Sequence, residues 1–202
     1  MMDAVPEKYA VRDEADIVDI VLRNPFAWVV GGGGSPTPLP LRPGLGEDGR
    51  LTALLGHFAR SNPQVARLRA DPQALILFMG PHGYVSPSWM ADRTQAPTWN
   101  YAAVAFACDL TFTEQPEEIG ALLDDLIDAQ EAGRPNAWRA AEMGPRYTGL
   151  ARGVVGFRAA IRERRAVFKL GQDERDDVFA DIVAGLEPGP LADLMRRYNP
   201  DR

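Results

Sequence analysis

The sequence predicts an α+β fold: a mostly antiparallel β-barrel decorated with helices. Two observations carry this. Strand-like runs follow one another with few helices between them, and the helical patterns gather at the start, after the long central strand and at the end. Strands and helices do not alternate regularly, so a doubly wound parallel sheet is not expected.

DEADIVDIVLRNP reads as the first helix, with Asp13 as cap, an apolar stripe of Ile17, Ile20 and Val21, and a stop at Asn24-Pro25. FAWVV is a strand. The segment Gly31 to Gly49 is rich in glycine and proline, which excludes a helix or a central strand and leaves only Thr37 to Arg42 as an edge strand. RLTALLGHF is a strand, NPQVARLRAD a short helix and ALILF a buried strand. TWNYAAVAFACDLTF, from Thr98, is a long strand with Trp99, Tyr101, Ala103 and Ala105 on one face.

PEEIGALLDDLIDAQEA is an amphipathic helix. Ile119, Leu122, Leu123, Leu126 and Ile127 share its apolar face, and Thr113 or Gln115 caps it. GPRYTGLARG is a short helix or turn. GVVGFRAAIRERRAVFKL is the last long strand, either single or two strands joined at a bulge. The C-terminal helices fall within about residues 173–198: DERDDVFADIVAGL, capped by Asp173 with Val178, Phe179, Ile182 and Val183 inward, and then GPLADLMRRYN. A chain of 202 residues fits one well-cored domain over 1–202.

Net charge is −6, and 46% hydrophobic with 25% charged residues is ordinary for a globular protein. The acidic balance and the lack of a helix-turn-helix argue against direct DNA binding. The one basic cluster, Arg162 to Arg165 with Arg158 and Lys169, is divided between the two faces of a strand and reads as a solvated edge. No apolar run is long enough to cross a membrane, and the N-terminus carries no signal-peptide core. The single cysteine, Cys108, permits no internal disulfide, lies in an apolar run and fits a reducing cytoplasm.

Three stretches hold the candidate chemistry. In LLGHFARSNPQ a strand ends at Gly56-His57, Arg60 and Ser61 follow, and Asn62-Pro63 opens a helix, a pattern suited to a phosphate or other anion. In FMGPHGYVSPSWM, Gly80, Pro81, His82, Tyr84, Ser86 and Trp89 read as a strand end and a shaped loop with free backbone groups and flat apolar rings. APTWNY adds Trp99 and Tyr101 around Asn100, planar surface suited to a heteroaromatic ligand. His57 and His82 have no Cys or carboxylate at ligand spacing, so no metal is expected. No nucleophile elbow, dinucleotide fingerprint or P-loop is present; GGGG, Gly31 to Gly34, reads as a flexible connection.

These stretches, with NPFAWVV, TPLPL and GVVGFRAAI…KLGQD, resemble the PaiB family of FMN-binding bacterial proteins, whose members are usually called negative transcriptional regulators. The resemblance runs over roughly residues 8 to 185. It implies a six-stranded split barrel, a homodimer, and FMN at the subunit interface. It places the FMN phosphate at His57, Arg60, Ser61 and Asn62, and the Gly80 to Ser86 loop with Trp89 along the flavin. Lys169 and Gln172 match a late segment that reaches the cofactor. The chain departs from the family pattern at Pro38 and Ala105, where the family commonly has histidines, and at Met90, Gly171 and Asp173. The resemblance leaves three readings: a flavin-binding regulator, an FMN-dependent oxidoreductase or flavin reductase acting on a small molecule, and a heme-handling barrel using His57 or His82. No catalytic residue is assigned.

Overall fold

The computed structural model of the chain describes residues 2–202. Its fold is α+β, an antiparallel sheet of the split-barrel class with helices around it. Seven strands form the sheet in the order β2-β1-β5-β6-β7-β4-β3. They are β1 (Phe26–Gly31), β2 (Thr37–Pro40), β3 (Arg42–Leu45), β4 (Leu51–Ala59), β5 (Gln73–Val85), β6 (Thr98–Thr113) and β7 (Val154–Lys169). The helices are α1 (Glu14–Arg23), α2 (Pro63–Ala70), α3 (Pro116–Glu131), α4 (Arg146–Ala151), α5 (Asp176–Gly185) and α6 (Pro190–Tyr198).

The strand count exceeds the expected six by one because the single edge strand foreseen at Thr37 to Arg42 divides at Leu41. β2 pairs with β1, Trp28 opposite Pro38, and β3 pairs with β4, Arg42 opposite Leu55. The two outermost strands of the sheet are therefore separated by one residue of chain. Leu41 is fully buried, and its N–H donates to Pro25 O at 2.8 Å. Gly56 makes room for this crossing: a Cβ there would come within 2.4 Å of Leu41 Cδ2 and 2.9 Å of Phe157 Cζ.

A second difference lies in β5. It was expected to end near Phe78, with a loop beyond, but it continues through Gly80, Pro81, His82 and Gly83 to Val85. β1 pairs with Ala74 to Leu77 of β5, and Pro81 lies beyond that ladder, where a proline is tolerated on the side that β1 no longer covers. Gly80 is needed because a Cβ would lie 2.5 Å from Ile20 Cδ1 and 3.1 Å from Ala102 O. β7 is one continuous strand.

The contacts group the chain into two compact units: one holds the segment ending at Ile20 with Met79–Val104 and Arg165–Arg202, the other Val21–Phe78 with Ala105–Arg164. In the second unit Phe58, Phe112 and Phe157 form an aromatic cluster, with Phe58 and Phe157 centroids 5.1 Å apart, and Phe78 meets Phe106 edge-on at 5.9 Å. Burying each such ring contributes about 1.5–3 kcal/mol. Ile119 and Leu126 are the buried residues of α3, as its stripe foretold.

In the first unit Phe168 packs on Tyr198, centroids 5.2 Å apart. The Tyr198 hydroxyl and the Arg197 guanidinium both donate to Asp16, a carboxylate only 4% exposed, which anchors the C-terminal helix to α1. Asp173 does not cap α5: that helix starts at Asp176, and Asp173 instead accepts from Lys8 Nζ at 2.8 Å and Tyr9 Oη at 2.5 Å.

Candidate functional site

Within the first unit, β5 and β6 present an exposed aromatic face. Even-numbered residues of β6 from Asn100 to Leu110 point into the core, so Trp99 and its odd-numbered companions face the other way. Trp99 is 54% exposed and Tyr84 46% exposed, and their rings meet edge-on with centroids 5.9 Å apart. The His82 ring lies 6.4 Å from Trp99, tilted by 30°. His82 Nδ1 is 2.9 Å from Gly80 O; a carbonyl only accepts, so Nδ1 carries a proton and donates it there.

A cation adjoins this face. Lys169, at the end of β7, donates to the Thr98 hydroxyl and to Trp99 O at 3.3 Å. Among the described residues no carboxylate pairs with it. The structure thus brings His82, Tyr84, Trp99 and Lys169 together. Thr98 joins them and was not singled out from sequence; its place at the head of β6 becomes meaningful only once Lys169 is seen beside it.

The other expected residues of this unit support the fold around the face. Gln172 accepts from Leu170 N at 2.7 Å and donates to Phe168 O at 2.5 Å, which fixes the turn after Lys169. Gly171 occupies that turn at φ +80°, a conformation that disfavours the serine expected there. Ser86 caps a single 3₁₀ turn, Pro87–Trp89, by accepting from Ser88 N at 3.2 Å. Trp89 packs so tightly on α5 that a Cβ on Gly185 would lie 2.5 Å from its ring. Gly80 and Pro81 shape the strand that carries His82.

The second unit holds the segment expected to receive a phosphate. His57 lies opposite Gly156 on β7, its Nδ1 buried without a hydrogen-bond partner, and burial pulls its pKa below the usual histidine value. Each nitrogen of the Arg60 guanidinium has one partner: Nε donates to Arg152 O at 3.0 Å, Nη2 to Val154 O at 3.1 Å, and Nη1 pairs with Glu114. Glu114 also pairs with Arg69, and the two cations, Arg60 foremost, hold its carboxyl below the ordinary range. Asn62 caps α2 as expected, accepting from Gln64 N at 2.8 Å, and its amide donates to Thr37 Oγ1 at 3.1 Å. Pro63 has no N–H, and Val65 N donates to Asn62 O at 3.0 Å, so the first turn of α2 satisfies its donors internally. Ser61 is exposed.

Cys108 is buried, and burial pushes its thiol up to about 12, which makes it inert as a nucleophile. Among the described residues no three His, Cys, Asp or Glu side chains gather as a metal site, and no helix is long and apolar enough to cross a membrane.

Comparison with known proteins bears on the family and the fold. Residues 4–163 match the family described as "Putative FMN-binding domain". The "Protease synthase and sporulation protein PAI 2" of Bacillus subtilis (strain 168) is 29% identical over 204 residues, covering 98% of this chain and 97% of that one. Among solved structures, the conserved hypothetical protein Rv2991 from Mycobacterium tuberculosis superposes with a TM-score of 0.59 at 14% identity, covering 93% of this chain and 98% of that one. The FAD and heme binding protein from Mycobacterium smegmatis superposes with a TM-score of 0.58 at 20% identity, covering 91% of this chain and 82% of that one. At such identities the structural likeness speaks for the fold. The sequence match speaks for the family: the chain belongs to the FMN-binding domain family, with the PaiB-type proteins, and FMN is the cofactor that family membership assigns to it.

Proposed function

We propose that this chain binds FMN on the face formed by His82, Tyr84, Trp99 and Lys169, that it does so as a homodimer, and that it acts as a flavin-dependent regulator of gene expression without gripping DNA itself. The observation that carries the reading is the exposed aromatic face beside a lysine that no carboxylate among the described residues neutralises. Flat apolar rings suit an isoalloxazine, and a cation beside them suits its electron-rich edge or its phosphate. When bound, FMN supplies the redox chemistry. The protein's residues orient it: Trp99 and Tyr84 offer surface, Lys169 offers charge, and His82 offers Nε2 as a hydrogen-bonding group.

The homodimer is supported by a separate apolar face in the second unit. Phe26, 65% exposed, sits opposite Pro40, and Trp28, 51% exposed, sits opposite Pro38 and Leu77. Contiguous exposed rings of this kind mark association surfaces. The regulatory role is supported by the name of the Bacillus subtilis relative, which attaches that protein to protease synthesis and sporulation. The acidic charge of this chain, −6, favours action through a partner or a signal over direct repression.

The test is an FMN titration followed by tryptophan fluorescence, with molar mass by light scattering. Saturable quenching by FMN and a dimeric mass are expected. A protein that never takes up FMN defeats the reading, and a gel shift of promoter DNA by the purified chain at physiological salt replaces indirect action with direct repression. A second reading, FMN-dependent oxidoreductase, is favoured by His82, an exposed group with a free ring nitrogen beside Trp99. Bleaching of the flavin bands by NADPH, reversed by an oxidant, selects it.

A further inference from the structure

The tetraglycine Gly31 to Gly34 and Arg67 of α2 form a feature that the flavin reading leaves unused. Gly32 and Gly33 both take φ +64°, so the hairpin between β1 and β2 turns through two left-handed residues. This turn lies against Arg67. A Cβ on Gly32 would lie 2.6 Å from Arg67 Cβ, and one on Gly34 would lie 2.2 Å from Nη2 and 2.4 Å from Cζ of the guanidinium. The turn carries glycines because the arginine occupies the space that side chains would fill. At Gly33 nothing lies within 4 Å, so the turn is open on that side.

Arg67 differs from its neighbours. Arg60 and Arg69 share Glu114, whereas Arg67 has no carboxylate partner among the described residues, and its Nε is buried without a hydrogen-bond acceptor. A buried guanidinium N–H without an acceptor is costly, and the planar fork of arginine matches an anion that offers two oxygens in one plane.

We infer that Arg67 and the Gly31–Gly34 turn form an anion site for a phosphate monoester dianion. The site is built from residues of the second unit alone and does not rest on the aromatic residues of the flavin reading. The phosphate belongs either to FMN or to a separate phosphorylated ligand, and the experiment distinguishes the two.

The probe is inorganic phosphate, titrated into the full chain while the arginine Nε–Hε signals are followed by NMR, with acetate as the carboxylate control. A saturable shift of the Arg67 signal is expected, with acetate at least about tenfold weaker because it carries one negative charge where the phosphate dianion carries two. Arg67→Gln abolishes the effect on its neighbours' backbone amides. Gly34→Ala, which puts a methyl group against the guanidinium without demanding a left-handed backbone, weakens phosphate by about tenfold and leaves the remaining spectrum folded. If FMN displaces phosphate and riboflavin does not, the site holds the flavin's own phosphate. If FMN binds without displacing it, the site serves a second ligand. If FMN does not bind at all, a persisting phosphate shift keeps the site and removes only the flavin reading. Absence of a saturable shift, an undiminished effect in Arg67→Gln, or equal affinity for acetate overturns the proposal.

Discussion

The rings of Trp99 and Tyr84 meet edge-on with centroids 5.9 Å apart, and each is about half exposed. Two large aromatics on adjoining strands, left in contact with solvent, contribute less to the core than to whatever lies on them. Trp99→Ala is therefore expected to weaken FMN binding by at least about tenfold, the scale of one lost aromatic contact, while the melting temperature changes little. Trp89→Ala is the contrast. Its ring is wedged against Gly185, so the variant should lose about 1–3 kcal/mol of stability in urea unfolding. Equal effects of the two variants on FMN affinity at unchanged stability would contradict this division.

Lys169 is held by Thr98 and by Trp99 O, and among the described residues no carboxylate neutralises its charge. Lys169→Met should weaken FMN by about tenfold and flatten the salt dependence of binding, whereas Lys169→Arg should retain part of it. A salt dependence unchanged in Lys169→Met would show that the charge does not reach the ligand.

His57 has its pKa lowered by burial, so the unfolded chain takes up a proton at a higher pH than the folded chain does. The stability tied to neutral His57 is present above the unfolded value of about 6.5 and is lost as pH falls through the folded value. Urea midpoints measured from pH 7.5 down to 5.5 should fall more steeply for the native chain than for His57→Gln. Parallel curves would show that the ring titrates as it does in water.

Gly56 admits Leu41 and Phe157 where the chain crosses from β2 to β3. Gly56→Ala places a methyl group 2.4 Å from Leu41 Cδ2 and should destabilise the fold by about 1–3 kcal/mol through overpacking. A Gly56→Ala, Leu41→Ala double variant should be less destabilised than the sum of the singles, since the new methyl group then has space. Strict additivity would argue against the contact.

Much of the architecture could be read in advance. The β6 alternation, the α3 stripe and the Asn62 cap each appear where the sequence places them. β5 beyond Phe78 could not, because Gly-Pro-His-Gly has the composition of a loop. It stays extended in a place where the β1 ladder no longer demands an N–H. Asp173 looked like a helix cap and is instead a partner for Lys8 and Tyr9, more than 160 residues away. Likewise GGGG suggested only a flexible link until Arg67 was found filling the space along it.

By itself the sequence determined the α+β class, the two amphipathic faces, the capped start of α2 and the family, because periodicity, cap chemistry and motif order depend on neighbours a few residues apart. Only the tertiary structure decided which polar groups remain available. Arg60, a candidate anion ligand in sequence, meets Glu114, 54 residues on, and two carbonyls near the head of β7. Lys169 reaches Thr98 and Trp99 across about 70 residues, and Arg67 Nε is left without an acceptor among the described residues. Whether a charge is engaged or open is set by which distant strand ends the fold brings beside it, and no local pattern encodes that.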